Sequence, residues 1–248
     1  MRQGAVVREE EAPVALDAVA RSHAAGELEK DGAPDHSAFT TIGTVLTCPP
    51  KETLFWEGDS AEFLFKVMRG TICLYKLLPD GRRQVARFCH VDDLVGLCGD
   101  RTYPYTADAL TDATVVRIRR SDLDAQIETD PGLRRSVMES ISKELGSAQD
   151  QLLLLGRKSA AERVASFLHA MSEQAIRQGG DGRFVVLPMT RVDIADYLGL
   201  THETVCRIFG QLKNRGILKL SDPHEIEILD LDLLSDLACG DGEPRLCA

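Results

Sequence analysis

Long apolar runs are missing from this chain. The most concentrated is LLLL at residues 152–155, far short of the roughly 20 residues needed to cross a bilayer. The opening MRQGAVVREEEAPVALD has no apolar segment between its charges, so it does not read as a secretory signal. Cysteines are absent before Cys48, and the seven in the chain are scattered, odd in number and without close pairing. That spread suits a reducing compartment better than a disulfide framework, and the expectation is a cytoplasmic protein with no membrane partner. Histidine is scarce where a metal barrel would need it: residues 41–120 hold His90 alone. A cupin-like metalloenzyme requires several histidines and a carboxylate converging on one ion. The reading is therefore not an enzyme, with no metal site.

Positive charge is also in deficit, with Lys+Arg 29 against Asp+Glu 39 for a net charge of -10. Taken as a sum, this argues against a nucleic-acid partner, because such binding neutralises phosphates. The distribution argues otherwise. Residues 1–40, 41–156 and 221–248 carry -4, -3 and -7, whereas residues 157–220 carry +4. One basic block thus lies between acidic ones.

What is present divides by pattern. Residues 1–40 are rich in Ala, Glu, Asp and Gly without a sustained apolar period, and read as a flexible extension with no assigned fold. From residue 41 to 130 short apolar runs alternate with turn signals about every ten residues, the pattern of a β-roll. In FLFKVMRGTICLYKLLPDGRRQVARF, Phe63, Phe65 and Val67 are expected on one face, with Gly70 at a turn. Ile72 and Leu74 resume the strand, and Pro79-Asp80-Gly81 closes a hairpin. Residues 131–158 follow a helical period, with Met138, Ile141, Leu145, Ala148, Leu152 and Leu155 at alternating steps of three and four. That is an a/d seam. A single helix can bury such a stripe on its own domain, but a long helix between two segments, followed by an element that would gain from being doubled, points to a homodimer.

The basic block contains VDIADYLGLTHETVCRIFGQL at residues 192–212. Two short amphipathic runs flank Gly199, as in a helix-turn-helix, whose crossing helices share one buried face. Ile194, Leu198, Leu200, Val205 and Ile208 fall on that face, and Ala195 is small where the helices approach. Thr190 with Asp193 spells a capping box, and Thr201 with Thr204 and Glu203 caps the second helix. His202, Glu203, Cys206 and Arg207 then face outward, with Gln211 one turn later and Arg191 at the start of the first helix. An arginine can fork onto guanine and a carboxylate can accept from a base amine. The bland alternative is a solvated face with an i,i+4 pair between Glu203 and Arg207. RGILKLSDPHEIEILD adds a short hairpin, which makes residues 159–230 a winged helix-turn-helix. Residues 231–248 are left as an acidic tail.

Together these segments resemble the CRP/FNR superfamily of bacterial transcription regulators across nearly all of residues 41–230. The likeness is carried by GTICLYKLLPDGRRQVARF, DDLVGL at 92–97, LLLLGRKSAAERVASFL at 152–168 and LPMTRVDIADYLGLTHETVCRIFGQLKNRGI at 187–217. The resemblance implies an α+β protein: an N-terminal β-roll of the cyclic-nucleotide-binding jelly-roll kind, a long dimerisation helix and a C-terminal winged helix-turn-helix. It further implies a homodimer that binds double-stranded DNA and recruits RNA polymerase, mainly as an activator. In the FNR branch the reading helix carries Glu, Ser and Arg, matched here by Glu203, Cys206 and Arg207, which implies a TTGA-N6-TCAA-like site. Thr201, His202, Gln211 and Arg191 complete the candidate DNA contacts. The loop Leu78-Pro79-Asp80-Gly81 stands where relatives touch polymerase, although PDG also simply closes a hairpin.

The same resemblance shows what is not there. Cyclic-nucleotide pockets of CRP type use a Gly-Glu and an Arg-Ser pair, where this chain has Gly96-Leu97 and Tyr105-Thr106. Cyclic AMP is not expected. The N-terminal cysteines that hold an FNR cluster are missing, and its central position aligns with Val116. A site built from Cys48, Cys73, Cys89 and Cys98 would be unrelated, and His90 is the one candidate haem ligand. The pattern is FixK-like, implying genes of microaerobic or anaerobic respiration, nitrogen fixation or denitrification. Three alternatives stay open: an effector-dependent sensor of the same superfamily (haem, thiol or iron-sulfur), a redox role for Cys206 beside Arg207, and a ligand-binding regulatory subunit that acts on protein rather than DNA.

Overall fold

The computed structural model describes residues 36–97, 101–222 and 224–240. Helix α1 (His36–Ile42) leads into strands β1 (Gly43–Cys48), β2 (Thr53–Phe55), β3 (Phe63–Arg69), β4 (Ile72–Leu77), β5 (Arg83–Cys89), β6 (Leu94–Val95), β7 (Thr106–Ala109) and β8 (Ala113–Arg119). Helices α2 (Arg120–Thr129), α3 (Pro131–Arg157) and α4 (Ala160–Arg177) follow, then β9 (Phe184–Val186), α5 (Arg191–Leu198) and α6 (His202–Asn214). Strands β10 (Leu218–Leu220) and β11 (Glu225–Ile228) and helix α7 (Leu231–Cys239) end the described chain. It divides into two compact units. One runs to Ile72 and includes Cys89–Ser140; the other joins Cys73–Phe88 to the chain from Ile141 onward.

In the first unit β1, β8, β3 and β6 form an antiparallel sheet in that order, and β2 pairs with β7. Phe39, Leu64, Leu94, Val116, Ile118, Leu123, Leu133 and Val137 make one apolar cluster. The start of α3 is therefore anchored by Leu133 and Val137. β3 departs from the expected alternation, because Leu64, Phe65, Lys66 and Val67 are all buried. Lys66 is tolerated there because its ammonium donates to the Asp92 carbonyl at 2.6 Å and lies 3.5 Å from the Asp92 carboxylate, so a buried charge keeps a partner. The turn at Gly70 fits the sequence reading and is tightly enclosed. Its φ is +85°, and an added Cβ would stand 2.5 Å from the Asp112 carbonyl oxygen. Gly70→Ala should cost about 2–3 kcal/mol from left-handed strain and the forced backbone shift, read as a lowered Tm in thermal unfolding.

The second unit contains the β4–β5 hairpin, closed as expected by the Leu78 and Arg82 backbone pair at 2.8 Å. It also holds α4, the crossing pair α5 and α6, and the wing. The wing is larger than the hairpin read from sequence: β9 adds a third antiparallel strand in the order β10-β11-β9. A further difference lies at each end of the chain. The stretch without assigned fold includes α1 at its end, while residues 1–35 of that expected extension lie outside the described residues. The acidic tail begins with helix α7, capped by Asp230 and burying Leu234, Leu237 and Ala238. Its leucines recur at helical spacing, so the signal was present but masked by a charge count. Residues 241–248 lie outside the described residues.

Along α3 the six seam positions separate. Met138, Ile141, Leu145 and Leu152 are 57%, 43%, 60% and 73% exposed, and Ala148 is exposed beside them. Leu155 does not stay with them. It is half-buried, with a methyl near Gly199, and its neighbour Leu154 is buried. A straight helix drifts about 20° per heptad against a strict 3.5 repeat, which turns the last seam position toward its own chain.

Candidate nucleic-acid interface

Two capped helices build this surface. The Thr190 N–H and hydroxyl donate to Asp193 Oδ2 at 2.9 and 2.7 Å, and the Asp193 N–H returns to the Thr190 hydroxyl at 3.2 Å. That is the capping box read from the sequence. Gly199 ends α5 at φ +62° and ψ +40°, the left-handed conformation that glycine adopts without penalty. Thr201 then caps α6 by accepting from the Thr204 N–H at 3.2 Å. Ile194, Ala195, Leu198, Val205 and Ile208 are buried between the helices, joined by Phe209 and Leu212. Leu200, expected in that core, is only half-buried because it stands beyond the Gly199 turn.

On the opposite face His202, Glu203, Cys206 and Arg207 are exposed together at the N-terminal end of α6. Thr201 is exposed beside them, and Gln211 is half-buried a turn later. Glu203 is held ionised below its ordinary range, first by its own backbone N–H, then by the Thr201 hydroxyl and His202. It is therefore an acceptor at neutral pH. Cys206 Sγ lies 3.4 Å from His202 Nε2, and no ion pair joins Glu203 to Arg207 among the described residues. The bland i,i+4 reading thus loses its contact, and the guanidinium stays available.

Arg191 differs from the other candidates. Its guanidinium is stacked 3.8 Å over the Phe209 ring and is half-buried, with Nη1 enclosed without a hydrogen-bond partner. Burial lowers its pKa, partly countered by Cys206. The side chain closes the base of the reading surface instead of reaching out from it.

The N-terminus of α5 holds a charge network that the sequence reading missed. Arg83 on β5 pairs with Asp193 Oδ1 and lies 3.6 Å from Asp196 Oδ2. Burial alone would raise the Asp193 pKa, but hydrogen bonds from Thr190 and Arg83 hold it below the ordinary 3.8. A lowered folded pKa adds stability that is present above that value and lost as pH falls through the folded one. The network is intact at neutral pH. Residues so far apart in sequence carry no local pattern that could have paired them.

The remaining thiols and the loop take different settings. Cys48, Cys73 and Cys89 are buried, whereas Cys206 and Cys239 are exposed. Cys98 lies outside the described residues. Burial, helped by Glu52, pushes the Cys48 thiol up to about 11. Iodoacetamide at pH 8 should therefore alkylate Cys206 and Cys239 in the native protein, and Cys48, Cys73 and Cys89 only after unfolding, as peptide mapping would show. Pro79, Asp80 and Gly81 are exposed with Leu78 half-buried, and Asp80 binds Arg82 at 2.7 Å. His90 is half-buried, with Nδ1 3.5 Å from the Thr71 hydroxyl. Among the described residues no group of three or more His, Cys, Asp or Glu is placed to hold a metal ion.

Comparison with known proteins agrees with this geometry. Residues 162–237 match the Crp-like helix-turn-helix domain, and residues 45–130 match the cyclic nucleotide-binding domain. The chain is 39% identical over 205 residues to the transcriptional activatory protein AadR of Rhodopseudomonas palustris, covering 83% of this chain and 84% of that one. It is 39% identical over 198 residues to the nitrogen fixation regulation protein FixK of Bradyrhizobium diazoefficiens, covering 77% and 84%. The solved structure of FixK2 from Bradyrhizobium japonicum superposes with a TM-score of 0.73 at 37% identity, over 79% of this chain and 97% of that one. With a cyclic-nucleotide-binding-type β-domain, a long helix and a Crp-like helix-turn-helix, this chain belongs to the CRP/FNR family of transcription regulators, among relatives of the FixK and AadR kind, and is not an enzyme.

Proposed function

We propose that the protein is an activator that binds a TTGA-N6-TCAA-like duplex as a homodimer, with Glu203 and Arg207 as the main base-reading residues. The observation that carries this is the grouping of His202, Glu203, Cys206 and Arg207 at the exposed N-terminal end of α6 while Val205, Ile208, Phe209 and Leu212 bury the opposite face of that helix. That end of a reading helix enters the major groove. Thr201 and Gln211 flank it, and the exposed α3 face supports pairing of two copies. A relative named for nitrogen fixation regulation supports nitrogen fixation genes as targets; genes of microaerobic respiration or denitrification, and action in the cytoplasm, belong to the same proposal. Leu78, Pro79, Asp80 and Gly81 are the proposed polymerase contact, supported by the exposure of Pro79, Asp80 and Gly81 at the hairpin tip.

No cofactor is part of this reading. The positions that would meet a cyclic-nucleotide phosphate do not suit one: Thr106 accepts from the Glu57 N–H at 3.1 Å, and neither Leu97 nor Tyr105 offers a charge. Nearby, Tyr103 stacks on Phe55 with centroids 3.7 Å apart, and Phe65 lies 5.6 Å from Phe55. These rings occupy the interior of the roll. The deciding test is anaerobic titration of the purified protein with the TTGA-N6-TCAA duplex, with no metal or nucleotide added. Tight, salt-dependent binding supports the proposal; absence of binding returns the search to an effector or to a protein partner.

The exposure of Cys206 favours one second reading, control by thiol oxidation. Oxidation there would add bulk and charge against a phosphate. Cys206→Ser should keep DNA binding and lose peroxide sensitivity; unchanged sensitivity removes Cys206 from consideration.

A further inference from the structure

We infer that Arg83 is a positioning residue for DNA reading: it grips Asp193 and Asp196 and so fixes α5, the helix that carries α6, against the β4–β5 hairpin. The inference rests on the DNA-binding proposal above. The guanidinium lies 4.3 Å over the Tyr75 ring, donates to Cys73 Sγ at 3.3 Å, and reaches both carboxylates of α5. One of these, Asp193, is the same carboxylate that caps α5 through Thr190. The adjacent Gln84 donates its side-chain amide to the Asp196 carbonyl at 2.6 Å. Behind this polar group, the Phe88 ring lies 5.2 Å from Tyr197 and 6.3 Å from Phe167. Hairpin and helix therefore meet through packed rings as well as charge.

The far end of α5 is held separately. Arg163 donates to the carbonyls of Leu198, Leu155 and Lys158, and Gln151 donates to the Tyr197 carbonyl at 2.8 Å. An eight-residue helix is thus tied at its C-terminal end to α3 and α4 and at its N-terminal end to the hairpin. Release of the N-terminal tie would let α5 pivot about the Arg163 contact and swing α6. In a dimer joined along α3, that swing changes the separation of the two reading helices, which must meet half-sites about one helical turn apart. Nη1 faces both carboxylates while Nη2 donates to Cys73 Sγ and the guanidinium plane lies over Tyr75, a combination of fork and stacking that a lysine ammonium does not reproduce.

The test compares full-length wild type, Arg83→Ala and Arg83→Lys on duplexes whose TTGA and TCAA half-sites are separated by the standard gap, one base pair less, and one or two more. Amide hydrogen exchange is followed in parallel. Wild type should prefer the standard gap by about tenfold or more. Arg83→Ala should reduce that preference to about threefold or less, with faster exchange across residues 191–198 and unchanged exchange in β1, β3 and β8; Arg83→Lys should recover only part. An unaltered gap preference in Arg83→Ala, or an equal loss of affinity at every gap, overturns the inference. Should wild type bind none of the duplexes, the DNA reading itself fails. The exchange data then stand alone: unchanged protection of α5 in Arg83→Ala overturns the clamp, and faster exchange confined to α5 supports it.

Discussion

Arg207→Ala should lower affinity for the TTGA-N6-TCAA duplex by between about 30-fold and 10⁴-fold without changing thermal stability. The range follows from geometry. One bidentate arginine-guanine contact is worth about 1–3 kcal/mol of discrimination, and a homodimer makes it twice, so the loss is about 2–6 kcal/mol. Stability should hold because Arg207 is exposed on a helix whose buried face is formed by Val205, Ile208, Phe209 and Leu212. The contact should also be base-specific. Competition with a scrambled duplex would show specific binding collapsing toward the nonspecific level, where phosphate contacts dominate. Fluorescence anisotropy at fixed salt measures the first effect and differential scanning calorimetry the second. A drop below threefold, or equal weakening on both duplexes, would remove Arg207 from base reading.

The second large effect concerns the exposed face of α3. Leu145→Glu combined with Leu152→Glu should convert a particle of twice 27.2 kDa into one of 27.2 kDa, as read by light scattering after size exclusion. Leu145 and Leu152 are among the most exposed apolar side chains in the described chain, and Met138 and Ile141 lie along the same face. Burying a leucine contributes about 1.5–3 kcal/mol, and each substitution acts on both copies of a two-fold interface. Glutamate is a good helix former, so the helix itself should persist and far-UV circular dichroism should be unchanged. DNA affinity should fall with the dimer. Two half-sites bound by linked readers profit from an effective concentration near millimolar, and separate monomers lose it. A variant that remains dimeric would place the interface elsewhere and reopen the reading in which α3 serves only its own chain.

Much of the site was legible because its signals are local. The capping box of Thr190 with Asp193, the turn at Gly199 and the cap at Thr201 each act within a few residues, and the structure forms all three. The apolar period of α5 and α6 likewise forecast which residues are buried and, by elimination, which four face outward. Helix α7 was legible in principle, since Leu234, Leu237 and Ala238 recur at helical spacing. Its acidic composition drew attention to charge instead.

What the sequence determined by itself is the set of elements with short-range causes: the turns at Gly70 and Pro79-Asp80-Gly81, the long helix with its apolar seam, and the two capped helices around Gly199. Periodicity, capping and backbone freedom are set by neighbours a few positions apart, so they can be read along the chain. Only the tertiary structure decided that Lys66 is buried with Asp92, that Arg191 lies flat on Phe209, that Leu155 leaves the seam, and that Arg83 holds Asp193 and Asp196 across 110 residues or more of sequence. Those pairings depend on which faces meet after folding, and the burial that makes an ion pair or a stacked guanidinium matter is a property of that packing, not of any local run of residues.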